Sequence, residues 1–294
     1  MEASKPGSSN TRKWLIGCGV GCGVIIIIAV ILIVTGVFYV KNLVKGFEES
    51  SAIMDTLTER YGKITEYTPN PDGTIKPERI EAFLKVRKQL IPALEQISDS
   101  IYILSDGEWG GEEIPEEERS STFSKIKTGL NLIPEISDYY KSRNQALLEE
   151  EMGPGEYYYI YVITYYSWMG KPLMDGPDFQ LGEDNERPRF RDWDDEESRE
   201  IRRDQILRRM HRMILPMMKN QYIKVMEAPS GEIDENWRVA LEAEIAALEE
   251  DRYRLPWEDG VPEVIADSLE PFRSRLEQSY SSITNMLELA IEQN

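Results

Sequence analysis

From Trp14 to Val40 the sequence contains no charged side chain, and Val24 to Val34 is apolar without interruption. As an α-helix that stretch is roughly 40 Å long, against a bilayer hydrocarbon core of about 30 Å. A helix in a water-soluble core is rarely apolar on every face for so long. The stretch therefore predicts one transmembrane helix, and with it the organisation of the chain. A tail covers 1–13, the span 14–40, a juxtamembrane helix 41–66 and an acidic helical domain 67–294, with a candidate internal linker at 171–193.

The flanks fit a span better than a cleaved leader. The segment ends Thr35-Gly36-Val37-Phe38-Tyr39, which has no small-residue cleavage pattern. Phe38 and Tyr39 at one end and Trp14 at the other suit the two headgroup layers. Leu15-Ile16-Gly17-Cys18 has lipobox spacing, but the apolar run follows the cysteine instead of preceding it. Gly17, Gly19, Gly21 and Gly23 make two overlaid G-x-x-x-G pairs. Such pairs let two membrane helices approach closely, so self-association is one reading and a poorly helical entry at headgroup level is the other. Lys5, Arg12 and Lys13 precede the span, and Lys41 and Lys45 follow it. Three against two favours a cytoplasmic N-terminus, hence a cell-membrane protein whose C-terminal domain is extracytoplasmic.

Charge is unevenly shared. The chain has 34 basic and 53 acidic residues. Four of the basic ones (Lys5, Arg12, Lys13, Lys41) and one acidic (Glu2) lie before residue 45, which leaves 30 and 52, a net −22, for the rest. Such a domain repels nucleic acid, so no nucleic-acid partner is expected. Both cysteines, Cys18 and Cys22, lie in the membrane segment, so the domain has no disulfide, thiolate or zinc-thiolate chemistry.

Periods near 3.6 dominate beyond the membrane, and hairpin signals are absent, so the class is all-α, with about six long helices. Phe47, Met54, Leu57, Tyr61 and Ile64 follow heptad-like spacing, with Ser50 in the remaining seam position. This stretch either packs on the domain or forms a coiled-coil stalk. Further helices are predicted from Pro77 to Leu104, Arg119 to Glu150, Asp194 to Glu227, Asp234 to Asp251 and Pro262 to Ile291. Glu156 to Met169 is the most apolar stretch outside the membrane and is expected to be a central buried helix.

Motifs for a reaction are lacking. His211 is the single histidine, which removes paired-imidazole metal motifs. Asn70-Pro71-Asp72-Gly73-Thr74-Ile75 matches the middle of a calcium loop, but Thr68 and Arg79 stand where the first and last acidic ligands belong. A plain turn before a helix is the better reading, and neither metal nor cofactor is expected. Ser124-Lys125-Ile126-Lys127 and Lys127-Thr128-Gly129 fit two penicillin-binding motifs, but Lys127 would have to serve both.

Two constellations remain. Tyr158, Tyr161, Tyr165 and Trp168 share a helix face, either as core or as the lining of a ligand pocket. Arg202, Arg203, Arg208, Arg209 and Arg212 make the one basic segment of an acidic domain. They either dock an anionic partner or pair with the domain's own carboxylates. The leading expectation is a non-enzymatic, membrane-anchored helical domain with a protein-interaction or envelope-scaffolding role. The alternatives are a small-molecule or lipid-binding module built on the tyrosine-rich helix, and a carboxylate-based hydrolase.

Overall fold

Pro154 opens the helix against which much of the domain packs. Its missing N–H is no loss in a first helical turn, and Gly153 before it is extended. The helix runs Pro154–Val162 and widens into a π-helical turn over Ile163–Trp168. Every residue from Tyr157 to Tyr166 is buried. A helix apolar on all sides can be satisfied only in this way.

The computed structural model describes residues 49–104, 122–174, 179–180, 189–190, 196–229 and 231–289. The predicted span 14–40, with Gly17, Gly19, Gly21 and Gly23, lies outside them, as does most of 171–193. Among the described residues no helix is long and apolar enough to cross a membrane.

In chain order the helices are α1 (49–61), α2 (Pro77–Gln89), α3 (Ile91–Leu104), α4 (Thr122–Glu149), α5 (Pro154–Val162), α6 (Glu196–Glu227), α7 (Glu235–Glu250), α8 (Glu263–Leu269), α9 (Arg273–Ser279) and α10 (Ser282–Leu289). A two-residue antiparallel ladder, Phe179 opposite Phe190 and Gln180 opposite Arg189, is the sheet content among the described residues. The class is all-α, as the sequence period predicts.

α1 lies on the domain instead of standing off as a stalk. Leu57 is fully buried, and Asn144 Nδ2 on α4 donates to the Ser50 carbonyl at 3.2 Å. Two predicted helices are broken where proline or local geometry forbids continuation. The expected 77–104 helix splits at Leu90, because Pro92 has no N–H to return to the preceding turn. The expected 262–291 helix becomes three pieces. A 3₁₀ turn surrounds Pro271, and Tyr280 is extended (ψ 140°).

Two glycines permit close approach. A Cβ on Gly155 would sit 2.5 Å from the Ile64 carbonyl oxygen, so glycine lets α5 lie against the 3₁₀ turn Ile64–Glu66. Gly73 has φ +82°, and a Cβ there would meet the Trp237 ring at 2.7 Å. The Asn70–Thr74 segment is the turn its sequence predicts. Asp72 Oδ1 accepts from the backbone N–H of Thr74 at 2.9 Å, and Trp237 Nε1 donates to the Pro71 carbonyl at 2.7 Å.

Candidate functional site

The basic side of α6 meets the end of α7. The helical repeat puts Gln205, Arg208, Arg209 and Arg212 on one side of α6, since residues three and four apart are neighbours. α7 is aligned by its cap, Asp234, whose Oδ1 accepts from the N–H groups of Asn236 (2.8 Å) and Trp237 (3.0 Å). In its last turn the Leu248 carbonyl, which has no partner within the helix ladder, lies 2.7 Å from His211 Nε2. His211 thus donates to α7 and pins the two helices together. Arg252 lies just beyond Asp251, the C-cap of α7. With Gln205, Arg208, Arg209, His211 and Arg212 it encloses a concavity of 540 Å³.

Tyr253 organises two of these cations. The Arg208 guanidinium lies 5.9 Å from its ring centroid and that of Arg252 5.0 Å, and Arg252 Nη2 also donates to the Tyr253 hydroxyl at 3.0 Å. Elsewhere in the domain arginines meet carboxylates: Arg79 with Glu156 (2.6 Å), Arg254 with Asp259 (2.7 Å), Arg275 with Glu81 (2.5 Å). Among the described residues Arg208, Arg212 and Arg252, all exposed, have no carboxylate at ion-pair distance. Arg209 is half-buried and donates to the Leu289 carbonyl at 3.4 Å. Arg202 and Arg203 do not line the concavity. Arg203 projects from the far side of α6, about 140° round the helix from Arg208.

The tyrosine face is interior. Tyr158, Tyr161 and Tyr165 are 1%, 0% and 0% exposed. The widened turn after α5 lets Tyr161 and Tyr166 donate to the same acceptor, Asn285 Oδ1, at 2.8 and 2.7 Å. Burial pushes the phenol of Tyr166 well above its usual value, with the Tyr161 hydroxyl adding to the effect. Trp168 differs from the three tyrosines. It is half-buried at the edge, with the Arg273 guanidinium 4.2 Å above its ring.

A second concavity, of 520 Å³, lies between the α2–α3 junction and the α9–α10 junction. Leu84, Ile91, Leu94 and Ile283 line it, with Arg87 and Ser279 beside them. The Arg87 guanidinium holds the free carbonyl at the end of α9, donating from Nε (3.2 Å) and Nη2 (3.0 Å) to Ser279 O. A cation at a helix C-terminus complements the dipole there.

Comparison of the chain with protein-family models, with curated proteins and with solved structures gave no match.

Sequence periodicity alone leads to Arg208, Arg209 and Arg212. It misses Arg252 and Tyr253, which follow a helix end and carry no periodic signal. It also misses Glu288, Arg87 and Arg143, which meet only through the fold.

Proposed function

We propose that this chain is a membrane-anchored helical interaction domain that recruits an anionic partner to the concavity between α6 and the end of α7. The observation that carries the reading is the pairing pattern. In a domain of net −22, Arg208, Arg212 and Arg252 converge on one concavity with no carboxylate partner among the described residues, while Arg79, Arg254 and Arg275 each hold one. Arg208 and Arg212, one turn apart on a helix, repel each other. An anion from outside would relieve that repulsion and complete the charge-assisted hydrogen bonds that both side chains can offer.

The anchor is the charge-free stretch 14–40, with the domain extracytoplasmic as the positive-inside count favours. The occupant that suits this face is a partner that presents concentrated negative charge to it. The glycines at 17, 19, 21 and 23 offer a separate route to self-association within the bilayer. No cofactor enters this reading.

The deciding experiment is crosslinking of the full chain in native membranes, with and without Arg208→Ala and Arg212→Ala together. Loss of a specific crosslinked species in the double variant supports the docking face; an unchanged set of species overturns it. A reporter fused after Asn294 should be active only outside the cytoplasm, and activity inside would reverse the orientation.

One observation favours the small-molecule or lipid reading. The 520 Å³ groove has an apolar wall and reaches Arg87, whose guanidinium lies 5.4 Å from the Tyr161 ring and 5.8 Å from Tyr165. A ligand in that groove would sense the tyrosine-rich helix through Arg87. Uptake of a fluorescent fatty acid, blocked by a bulky side chain at Ser281, would support it.

A further inference from the structure

We propose that the α6–α7 concavity is a phosphoryl site, taking a multiply charged anion of the class of pyrophosphate or a small phosphate ester. The inference rests on the reading of this face as the functional one and specifies the chemistry that it selects.

The supply of donors favours a phosphoryl group. A guanidinium presents a planar fork that one carboxylate saturates from a single side. Here Arg208, Arg212 and Arg252 all open on one 540 Å³ concavity without a carboxylate partner among the described residues, and Arg209 stands beside them. That is more donor capacity than one carboxylate can accept. A phosphoryl group has three terminal oxygens and carries more charge, so it can engage two forks at once.

The donors are also preorganised. The Tyr253 ring holds the guanidiniums of Arg208 and Arg252 at 5.9 and 5.0 Å. Arg208 Nε is further fixed by the Asp204 carbonyl at 3.3 Å. Side chains that are already positioned lose less freedom on binding. The walls are fixed too, because His211 bonds to Leu248 O across the α6–α7 seam at 2.7 Å.

The nearby carboxylates are engaged elsewhere. Glu249, on α7, pairs with Lys219 at 2.5 Å. Asp251 accepts the Tyr253 N–H at 2.8 Å. Asp204 meets Arg208 through its backbone oxygen. The net negative charge of the domain acts mainly at long range and is screened over about 8 Å at physiological salt. Among the described residues that line the concavity there are four arginines and no carboxylate.

The test is calorimetric titration of the full chain in zwitterionic detergent, with pyrophosphate as probe and inorganic phosphate and acetate as comparators. Pyrophosphate should bind one-to-one and saturably, phosphate more weakly, and acetate not measurably. Arg212→Lys keeps the charge but loses the fork, and should weaken pyrophosphate by about tenfold or more. Arg203→Ala, which removes an equally exposed arginine from the far side of α6, should change affinity by less than about twofold. Absence of saturable binding, or an Arg203→Ala effect as large as that of Arg212→Lys, overturns the proposal.

Reconstitution in nanodiscs separates the sources of the group. Weaker pyrophosphate binding in phosphatidate-containing discs than in zwitterionic ones assigns the phosphoryl to a lipid headgroup. Equal binding assigns it to a soluble ligand. If pyrophosphate fails to bind while Arg208→Ala with Arg212→Ala still abolishes the crosslinked partner, the phosphoryl assignment falls and the docking face stands.

Discussion

Arg143 Nη1 on α4 lies 3.0 Å from Glu288 Oε2 on α10, and both side chains are closed off from solvent. The other oxygen of the same carboxylate accepts from the Tyr157 hydroxyl at 2.7 Å and from the Tyr139 hydroxyl. Arg87 Nη1 stands 3.8 Å from it. One carboxylate therefore ties α2, α4 and α5 to α10. Two buried guanidiniums share it, so its removal leaves both without their counter-charge. Glu288→Gln, which keeps the shape, should cost about 3–5 kcal/mol. Urea unfolding followed by far-UV dichroism measures this, and a midpoint close to wild type would show that the network is dispensable.

The same network sets the response to alkali. Burial pushes the phenols of Tyr139 and Tyr157 well above their ordinary value, and the adjacent Glu288 carboxylate pushes them further. Tyr140 is pushed up to about 12, again by burial first. In the unfolded chain these phenols ionise near pH 10. The folded chain thus holds protons that the unfolded chain releases. Their contribution to stability is complete below about pH 10 and declines as pH rises through the folded values. Absorbance at 295 nm should show these tyrosines ionising together with loss of helix. Gradual ionisation with the helical signal intact would contradict their burial.

Gly73 provides a test of how the α2 entry turn meets α7. Its φ of +82° is strained for any other residue, and an added Cβ would lie 2.7 Å from the Trp237 ring. Gly73→Ala combines a backbone penalty with overpacking and should cost about 2 kcal/mol or more. It should also quench or shift tryptophan fluorescence, because Trp237 must give way. An unshifted spectrum at wild-type stability would mean that the turn and α7 are not in contact.

The parts of this architecture that a sequence can announce are local ones. Pro154 after Gly153 marks a helix start through φ alone, and Asp234 marks another through its side-chain oxygen. The stretch from Tyr157 to Tyr166 declares burial because no face of it is polar enough for water. What could not be read depends on distance along the chain. Glu288 is one of 53 acidic residues, and its partner Arg143 lies 145 positions away. The break at Tyr280 was invisible because the apolar period continues across it, and the structure supplies its role. It frees the Ser279 carbonyl that Arg87 holds. Arg252 is hidden for a similar reason, since it joins the α6 arginines only through the packing of α7 on α6.

The tyrosine-rich helix separates interior from edge in a way one variant series can measure. Tyr161 is fully buried, with ring centroids of Tyr165 and Tyr166 at 5.0 and 5.9 Å and its hydroxyl on Asn285. Tyr161→Ala removes that packing and should cost about 3–5 kcal/mol. Tyr161→Phe keeps the ring, and Asn285 Oδ1 still accepts from Tyr166 at 2.7 Å, so the loss should be about 1 kcal/mol. Trp168, on the same face by helical spacing, is only half-buried and is covered by the Arg273 guanidinium at 4.2 Å. Trp168→Ala should therefore cost on the order of 1 kcal/mol, well below the figure for Tyr161→Ala. Unfolding midpoints of the three variants should order Tyr161→Ala far below the other two. Equal and large losses for Trp168→Ala and Tyr161→Ala would extend the core to the end of the π-helical turn. A near-wild-type Tyr161→Ala would mean that the face is open to solvent and available to a ligand.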